Sequence, residues 1–478
     1  MLKLLTYFSM STIDNVSKVK GRIQMATRIL SRLCNKVRLQ LTYTPVSCLY
    51  SKESALSRNA SCSRLIREAL SDFEDTEFQP LRIRGYALGR NFSRANVDTI
   101  QYLEDKSGKV LDIMEAQEVM KTGEGVFTKR VSFKSMFEDG FRSLELNIEG
   151  KKCPDPSLQF VTDAFILGFL EEKDFHEDCL RCMHRIPEQR DRPIKNDESY
   201  ICTLLANHLF SRLTIRFSGH HYFLTNDYHN KFDVCPCMKC GQQIRYRNTG
   251  IGSEYLWYGR PDIMLFTMAG GGCNIIYPED CSADDKEFDA DQAENQIIEI
   301  DLKSSTLRKK EKIEQVVAQT ITYSMYQRVR QREKGKTLPQ AFLIPTIVAS
   351  SDYFDIYMYD TQNDILLRNK GDPIPIWNKN KFSAEGETLN LSNILKIWMT
   401  LNHFTLKPKL LVDEIQSLKG TCDFLGRIAP KRLHLIEKTI SMQKKFLPLK
   451  EMELELDVPS VSLKQKSLPS TCSNDEEK

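Results

Sequence analysis

The chain has 478 residues, of which 41% are hydrophobic and 27% charged, enough to bury a sizeable core and long enough for two folded domains with tails. Lys and Arg number 67 against 64 Asp and Glu, and the resulting net charge of +3 singles out no partner, so only local clusters of charge are informative. The 14 cysteines are scattered and include two Cys-x-x-Cys pairs, a usage that speaks against a secreted disulfide framework and for metal binding in a reducing, intracellular compartment, nucleus or mitochondrion. No apolar run approaches the roughly 20 residues that span a bilayer, which excludes membrane insertion from the expectations.

Residues 1–60 are rich in Lys, Arg and Ser, with Asp14 the only acid before Glu53. That composition predicts a flexible basic arm, similar to a mitochondrial transit peptide or to a nucleic-acid-binding extension. Residues 61–190 read as an α+β region of unassigned role, with an amphipathic helix over Ser157–Glu172. The polar, proline-bearing stretch Pro187–Asn196 predicts a domain boundary. A second helix is expected over Asp197–Leu213, burying Ile201, Leu204, Leu205 and Leu209.

Strands follow at Tyr255–Phe266 and Gln296–Lys303, separated by a Gly-rich, then acidic insert over Ala269–Asn295. A helix over Lys312–Arg330 and strands at Ala341–Ala349 and Tyr353–Tyr359 complete a domain spanning 191–405. A helical segment over 406–441 and a Ser-, Lys- and Glu-rich disordered tail over 442–478 end the chain. The expected fold is α/β, a mixed central sheet flanked by helices.

Within Ile297-Ile298-Glu299-Ile300-Asp301-Leu302-Lys303 the side chains alternate, so Glu299, Asp301 and Lys303 share one face of a strand. Unpaired buried charge is expensive, and a cleft with water, counter-charge or metal relieves it. Just upstream, Asp262 opens the apolar run Ile263-Met264-Leu265-Phe266, so it can face the same cleft. Two carboxylates on adjacent strands suit a hard divalent cation, and a nearby lysine suits activation of an attacking water.

Pro261-Asp262 followed by Asp301-Leu302-Lys303 resembles the signature of the PD-(D/E)xK nuclease superfamily, and Gln319-x-x-x-Tyr323 on the following helix resembles its RecB-like branch. The resemblance covers roughly Asp197 to Tyr359. It implies a restriction-endonuclease-like core in which Asp262, Asp301 and the main-chain carbonyl of Leu302 hold Mg²⁺ or Mn²⁺. Lys303 would then orient the nucleophilic water, and Gln319 and Tyr323 would contact the site or the DNA backbone. Glu198 is the candidate for an additional acid from the first core helix, because at 100° per residue it lies nearly in line with Ile201 and Leu205; a helix-start acid favoured by the macrodipole is the alternative. His208 on the same helix is either the histidine that RecB-like enzymes often use there or a structural one. Glu299 ranks below Asp301.

Arg308, Lys309, Lys310 and Lys312 form a basic cluster suited to phosphates, and Arg328, Arg330, Arg332, Lys334 and Lys336 form another, although solvated helix ends would look the same. Arg245, Tyr246, Arg247, Trp257 and Tyr258 interleave cations with aromatics, as single-strand stacking surfaces and strand cores both do. Cys235-Pro236-Cys237-Met238-Lys239-Cys240-Gly241 resembles a zinc knuckle. Cys179 and Cys182 are expected to join Cys237 and Cys240 around a structural Zn²⁺, with Cys235, His176 or His184 as substitutes. The functional expectation is a Mg²⁺-dependent deoxyribonuclease with nucleic acid as partner, DNA before RNA. The alternatives are an inactive nuclease fold that binds nucleic acid and a protein-interaction scaffold.

Overall fold

The structure, a computed structural model, describes residues 52–123, 125–184, 198–214, 222–228, 232–266, 272–276, 310–333, 335, 337–378 and 387–443. Contacts divide the chain into two units, Met1–Ser61 and Cys62–Lys478, and the second holds the central sheet with its flanking helices. The arm expected over 1–60 lies almost wholly outside the described residues, as do the tail from 444 onward, the stretch Pro187–Asn196 and the strand expected over Gln296–Lys303.

The first half contributes strands β1 (Glu77–Ala87) and β2 (Asn96–Gln101) and helices α1 (Glu138–Ile148), α2 (Pro156–Gly168) and α3 (Lys173–Leu180). The second half contributes α4 (Glu198–Leu205), β3 (Tyr222–Thr225), β4 (Tyr246–Arg247), β5 (Ile263–Phe266), β6 (Gly272–Ile276) and α5 (Lys310–Glu333). They are followed by β7 (Leu343–Ala349), β8 (Tyr353–Asp360), β9 (Ile365–Asn369), α6 (Leu391–Leu401) and α7 (Pro430–Gln443).

Nine of these strands lie in one mixed sheet in the order β2-β1-β9-β8-β7-β6-β5-β3-β4. Most neighbours run antiparallel, while β3 and β4 run parallel, as do β6 and β7, with Ile275 opposite Ile347. The latter pair requires a crossover between its strands, and α5 lies in it. The middle of the sheet is buried on both sides: every residue of β7 is buried. Ile263, Leu265, Ile347, Ile356 and Met358 face a layer made by α1, α2, α4 and α6, into which Leu144, Phe165, Leu205 and Trp398 pack. Met264, Ile344, Val348, Tyr357 and Tyr359 face α5 and α7 through Val317, Ile321, Tyr326 and Ile436. Each such large side chain withdrawn from water contributes roughly 1.5–3 kcal/mol before entropy is counted.

Three expectations change. Residues 61–190 are not a region apart from 191–405, because β1 pairs with β9, placing Phe78 opposite Asn369. Among the described residues β5 is flanked on one edge by β3, with Ile263 opposite Leu224, and on the other by β6, which lies inside the segment expected to be an insert, with Ile263 opposite Ile275. The strand expected over Tyr255–Phe266 is two strands, because Trp257–Gly259 belongs to a separate small sheet with Arg90–Asn91 and Ile251–Gly252. The chain breaks there at Gly259 and Pro261, and proline cannot donate to a ladder.

Candidate active site and thiol cluster

Helix α4 packs under the sheet through Ile201, Leu204 and Leu205, which brings its first residue, Glu198, beside the start of β5. Asp262 is fixed at that start by its own carbonyl, which accepts from the Thr225 amide at 3.0 Å. Tyr228, in the turn after β3, reaches both carboxylates: its hydroxyl bonds Glu198 Oε1 and lies 3.1 Å from Asp262 Oδ1. A phenol carries one hydrogen, so it donates to one carboxylate at a time. Burial, then the neighbouring Cys202, Asp262 and Glu198, raises the Tyr228 hydroxyl far above its ordinary value, which keeps it a donor at any working pH.

These groups open onto a cavity of about 640 Å³ whose lining includes Gln315 and Gln319 from α5 and the half-exposed Tyr258. Gln319 is 1% exposed, and its Oε1 has no hydrogen-bond partner among the described residues. Gln315 and Gln319 are one turn apart on one stripe. Tyr323, a turn further on, packs instead in the apolar cluster under the sheet and is not among the cavity residues. The opposite wall comes from residues 91–93, part of the region that reads as chemically silent in the sequence. Arg90–Asn91 runs parallel to Trp257–Tyr258, and the Asn91 side chain accepts from the Ser93 amide at 3.1 Å to form the turn. Gly252, at φ +91°, makes this wall possible, since a Cβ there would stand 1.9 Å from the Trp257 carbonyl oxygen.

Asp301, Leu302, Lys303, Glu299, Arg308 and Lys309 lie outside the described residues, and the side chain of Lys310 is likewise not described. Lys312, expected on a phosphate-binding surface, is 4% exposed, so that expectation does not hold for it. At the far end of α5 Lys334 and Lys336 lie outside the described residues, and the three arginines are engaged within the protein. Arg328 donates to the Thr361 carbonyl at 2.6 Å, Arg330 sits 5.5 Å from the Tyr326 ring centre, and Arg332 pairs with Glu437 at 3.2 Å. Trp257 is core, its indole donating to the Ala87 carbonyl at 2.9 Å, and Arg247 covers the Phe223 ring at 4.5 Å.

A second constellation groups His208, Cys235, Cys237 and Cys240, with one ligand atom from each lying within 4.8 Å of the others. His208 comes from the π-turn Ala206–Phe210 that continues α4, so it serves this cluster and not the carboxylate cavity. Its Nε2 is 3.3 Å from Cys235 Sγ, and its Nδ1 is 3.2 Å from His176 Nδ1. Burial, then Arg212, lowers the His208 imidazole to about 4, leaving it neutral and able to ligate. Burial opposes ionisation of Cys237, yet the Cys240 and Lys239 amides aimed at its sulfur hold the thiol below its ordinary value. Of the residues expected here, Cys237 and Cys240 are in the group. Cys179 is buried, with its thiol hydrogen-bonded to Cys237, and Cys182 interacts electrostatically with Cys179. Neither completes the four-residue group, which takes Cys235 and His208 instead. His184 stands elsewhere, with Asp352 and Glu387.

Tyr228 and Asn91 carry no motif that marks them in the sequence. Gln315 does carry a signal, its four-residue spacing from Gln319. The chain matches no protein-family model, no curated protein and no solved structure.

Proposed function

We propose that the protein is a metal-dependent nuclease that hydrolyses phosphodiester bonds, in DNA before RNA, on a restriction-endonuclease-like core. The observation that carries this reading is the convergence of Glu198 and Asp262 on the single Tyr228 hydroxyl, in a cavity that Gln315 and Gln319 also line. The two carboxylates offer hard oxygen donors of the kind that fit Mg²⁺ or Mn²⁺. Asp262 and Glu198 would hold the ion with Asp301 and the Leu302 carbonyl, which the sequence resemblance adds. Bound there, it would polarise a phosphate oxygen and stabilise the charge that develops in the transition state.

The chain's own residues do the rest. Tyr228 orients the two carboxylates, Lys303 favours the hydroxide form of the attacking water, and Gln315 and Gln319 donate amide hydrogens to phosphate oxygens. Tyr258, 40% exposed on the rim, offers a ring face on which a base or sugar can stack. The order of β5, β6, α5 and β7, with the last strand parallel to β6, suits a core of this type. A purely binding role draws less support, since Lys312 and the α5-end arginines are taken up by the protein itself.

The test is cleavage of labelled single- and double-stranded DNA with Mg²⁺, with Mn²⁺ and with EDTA, by the full chain and by Lys303→Ala. Metal-dependent cleavage lost in the variant is expected. Salt-sensitive binding with no cleavage by either protein would replace this reading with a binding module.

A further inference from the structure

The excursion between β3 and β4 closes on itself before it meets the helices. Val234 bridges Gln243, the Cys235 amide donates to the Gln242 carbonyl at 2.8 Å, and the Ile244 amide donates to the Asp233 carbonyl at 2.9 Å. At its tip Met238 and Gly241 take positive φ values of 58° and 60°. These turns aim the Lys239 and Cys240 amides at Cys237 Sγ, and the Gln242 amide at Cys240 Sγ, each at 3.4 Å. Amides pointed at sulfur stabilise thiolates, the form that binds metal. A tetrahedral zinc with Zn–S near 2.3 Å and Zn–N near 2.0 Å places its ligands roughly 3.5–3.8 Å apart. The 4.8 Å limit that encloses His208 and the three sulfurs leaves room for that geometry with small side-chain adjustment. His208, Cys235 and Cys237 are each no more than 3% exposed and Cys240 is partly buried, the enclosure of a structural site.

We propose that His208, Cys235, Cys237 and Cys240 hold one structural Zn²⁺ that fastens the excursion to the helix carrying Glu198. His208 lies ten residues along that helix from Glu198, about 15 Å at the α-helical rise, so the ion positions the carboxylate without touching it. The π-turn that bears His208 is a kind of irregularity that accumulates at functional sites. Cys179, hydrogen-bonded to Cys237, supports the sulfurs from α3 as a neighbour. The proposal stands apart from the nuclease reading, because its readouts do not require cleavage.

The experiment measures metal content of the full chain as purified, then replaces zinc with Co²⁺ and records the visible spectrum. One zinc per chain, sulfur-to-cobalt charge transfer and tetrahedral ligand-field bands characteristic of three thiolates and one imidazole are expected. Cys237→Ser and Cys240→Ser should lose the ion and melt about 10 °C or more lower, because a structural site's binding energy is folding energy. Cys153→Ser, outside the cluster, and Cys179→Ser should keep it. A chain purified without stoichiometric zinc, or Cys237→Ser that retains it, overturns the site. Loss of zinc in Cys179→Ser with retention in Cys235→Ser overturns this ligand set in favour of the two Cys-x-x-Cys pairs. The cobalt spectrum of the unmodified chain decides the ligand class even if a variant fails to fold.

Discussion

Removing one oxygen atom, in Tyr228→Phe, is the sharpest local perturbation the carboxylate cavity allows. The ring stays packed, while the bonds to Glu198 and to Asp262, the latter at 3.1 Å, disappear. A hydrogen bond to a charged group contributes about 1.5–3 kcal/mol, and the single phenolic hydrogen can serve one carboxylate at a time, so one such contribution is lost, not two. Both carboxyl groups also face a cavity of about 640 Å³, where water replaces part of what the hydroxyl supplied. The expected destabilisation without divalent ions is therefore about 1–2 kcal/mol. Cleavage should fall by about ten-fold or more, since 1.4 kcal/mol of lost positioning in the transition state is a factor of ten. Urea unfolding at pH 7 with EDTA measures the first quantity, and single-turnover cleavage with Mg²⁺ the second. A variant with unchanged stability and an unchanged rate would show that the hydroxyl does not organise the two carboxylates.

Gly252→Ala should destabilise the fold by about 3 kcal/mol or more, because its Cβ meets the Trp257 carbonyl at a left-handed backbone position; thermal unfolding checks this. Glu177→Ala removes a 3% exposed carboxylate that pairs with Lys173 at 2.8 Å and with Arg181 and accepts the Leu389 amide at 3.1 Å; a loss of about 3 kcal/mol in denaturant titration is expected. Burial lowers the His403 imidazole to about 3 despite its bond to the Thr400 carbonyl, whereas an unfolded histidine titrates near 6.5. The unfolded chain therefore binds the proton first as pH falls, and the stability held above pH 6.5 drains away toward pH 3. From pH 6.5 to 4.5 this single group should remove about 2 kcal/mol, and His403→Gln should show a correspondingly shallower decline across the same range.

What could be read in the sequence depends on how local each signal is. Strands β7 and β8 and helix α5 announce themselves through short apolar runs and through 24 residues without Gly or Pro. Glu198 stands out because a carboxylate on an inward helical stripe needs a reason, and the structure places it at the cavity. The knuckle is legible because its turn is local, with spacing alone bringing Cys237 and Cys240 together. Its remaining partner from outside the turn is not, since His208 approaches through helix packing and a π-turn decides which way it points, whereas the spacing points to Cys179 and Cys182. The pairing of β1 with β9 joins segments nearly 300 residues apart, for which no local pattern exists. Another long-range pairing, of Arg90–Asn91 with Trp257–Tyr258, is how Asn91, in an unremarkable stretch, comes to line the cavity, and Tyr228 comes there through a three-residue turn with no motif.

The measurement that tests the central claim most directly is single-turnover cleavage by the full chain and by Asp262→Asn at saturating protein, with DNA binding followed in parallel. Mg²⁺-dependent cleavage by the unmodified chain and a loss of about 100-fold or more in the variant, with binding retained, are expected. Cleavage at equal rates by both proteins, or by neither, would contradict the central claim.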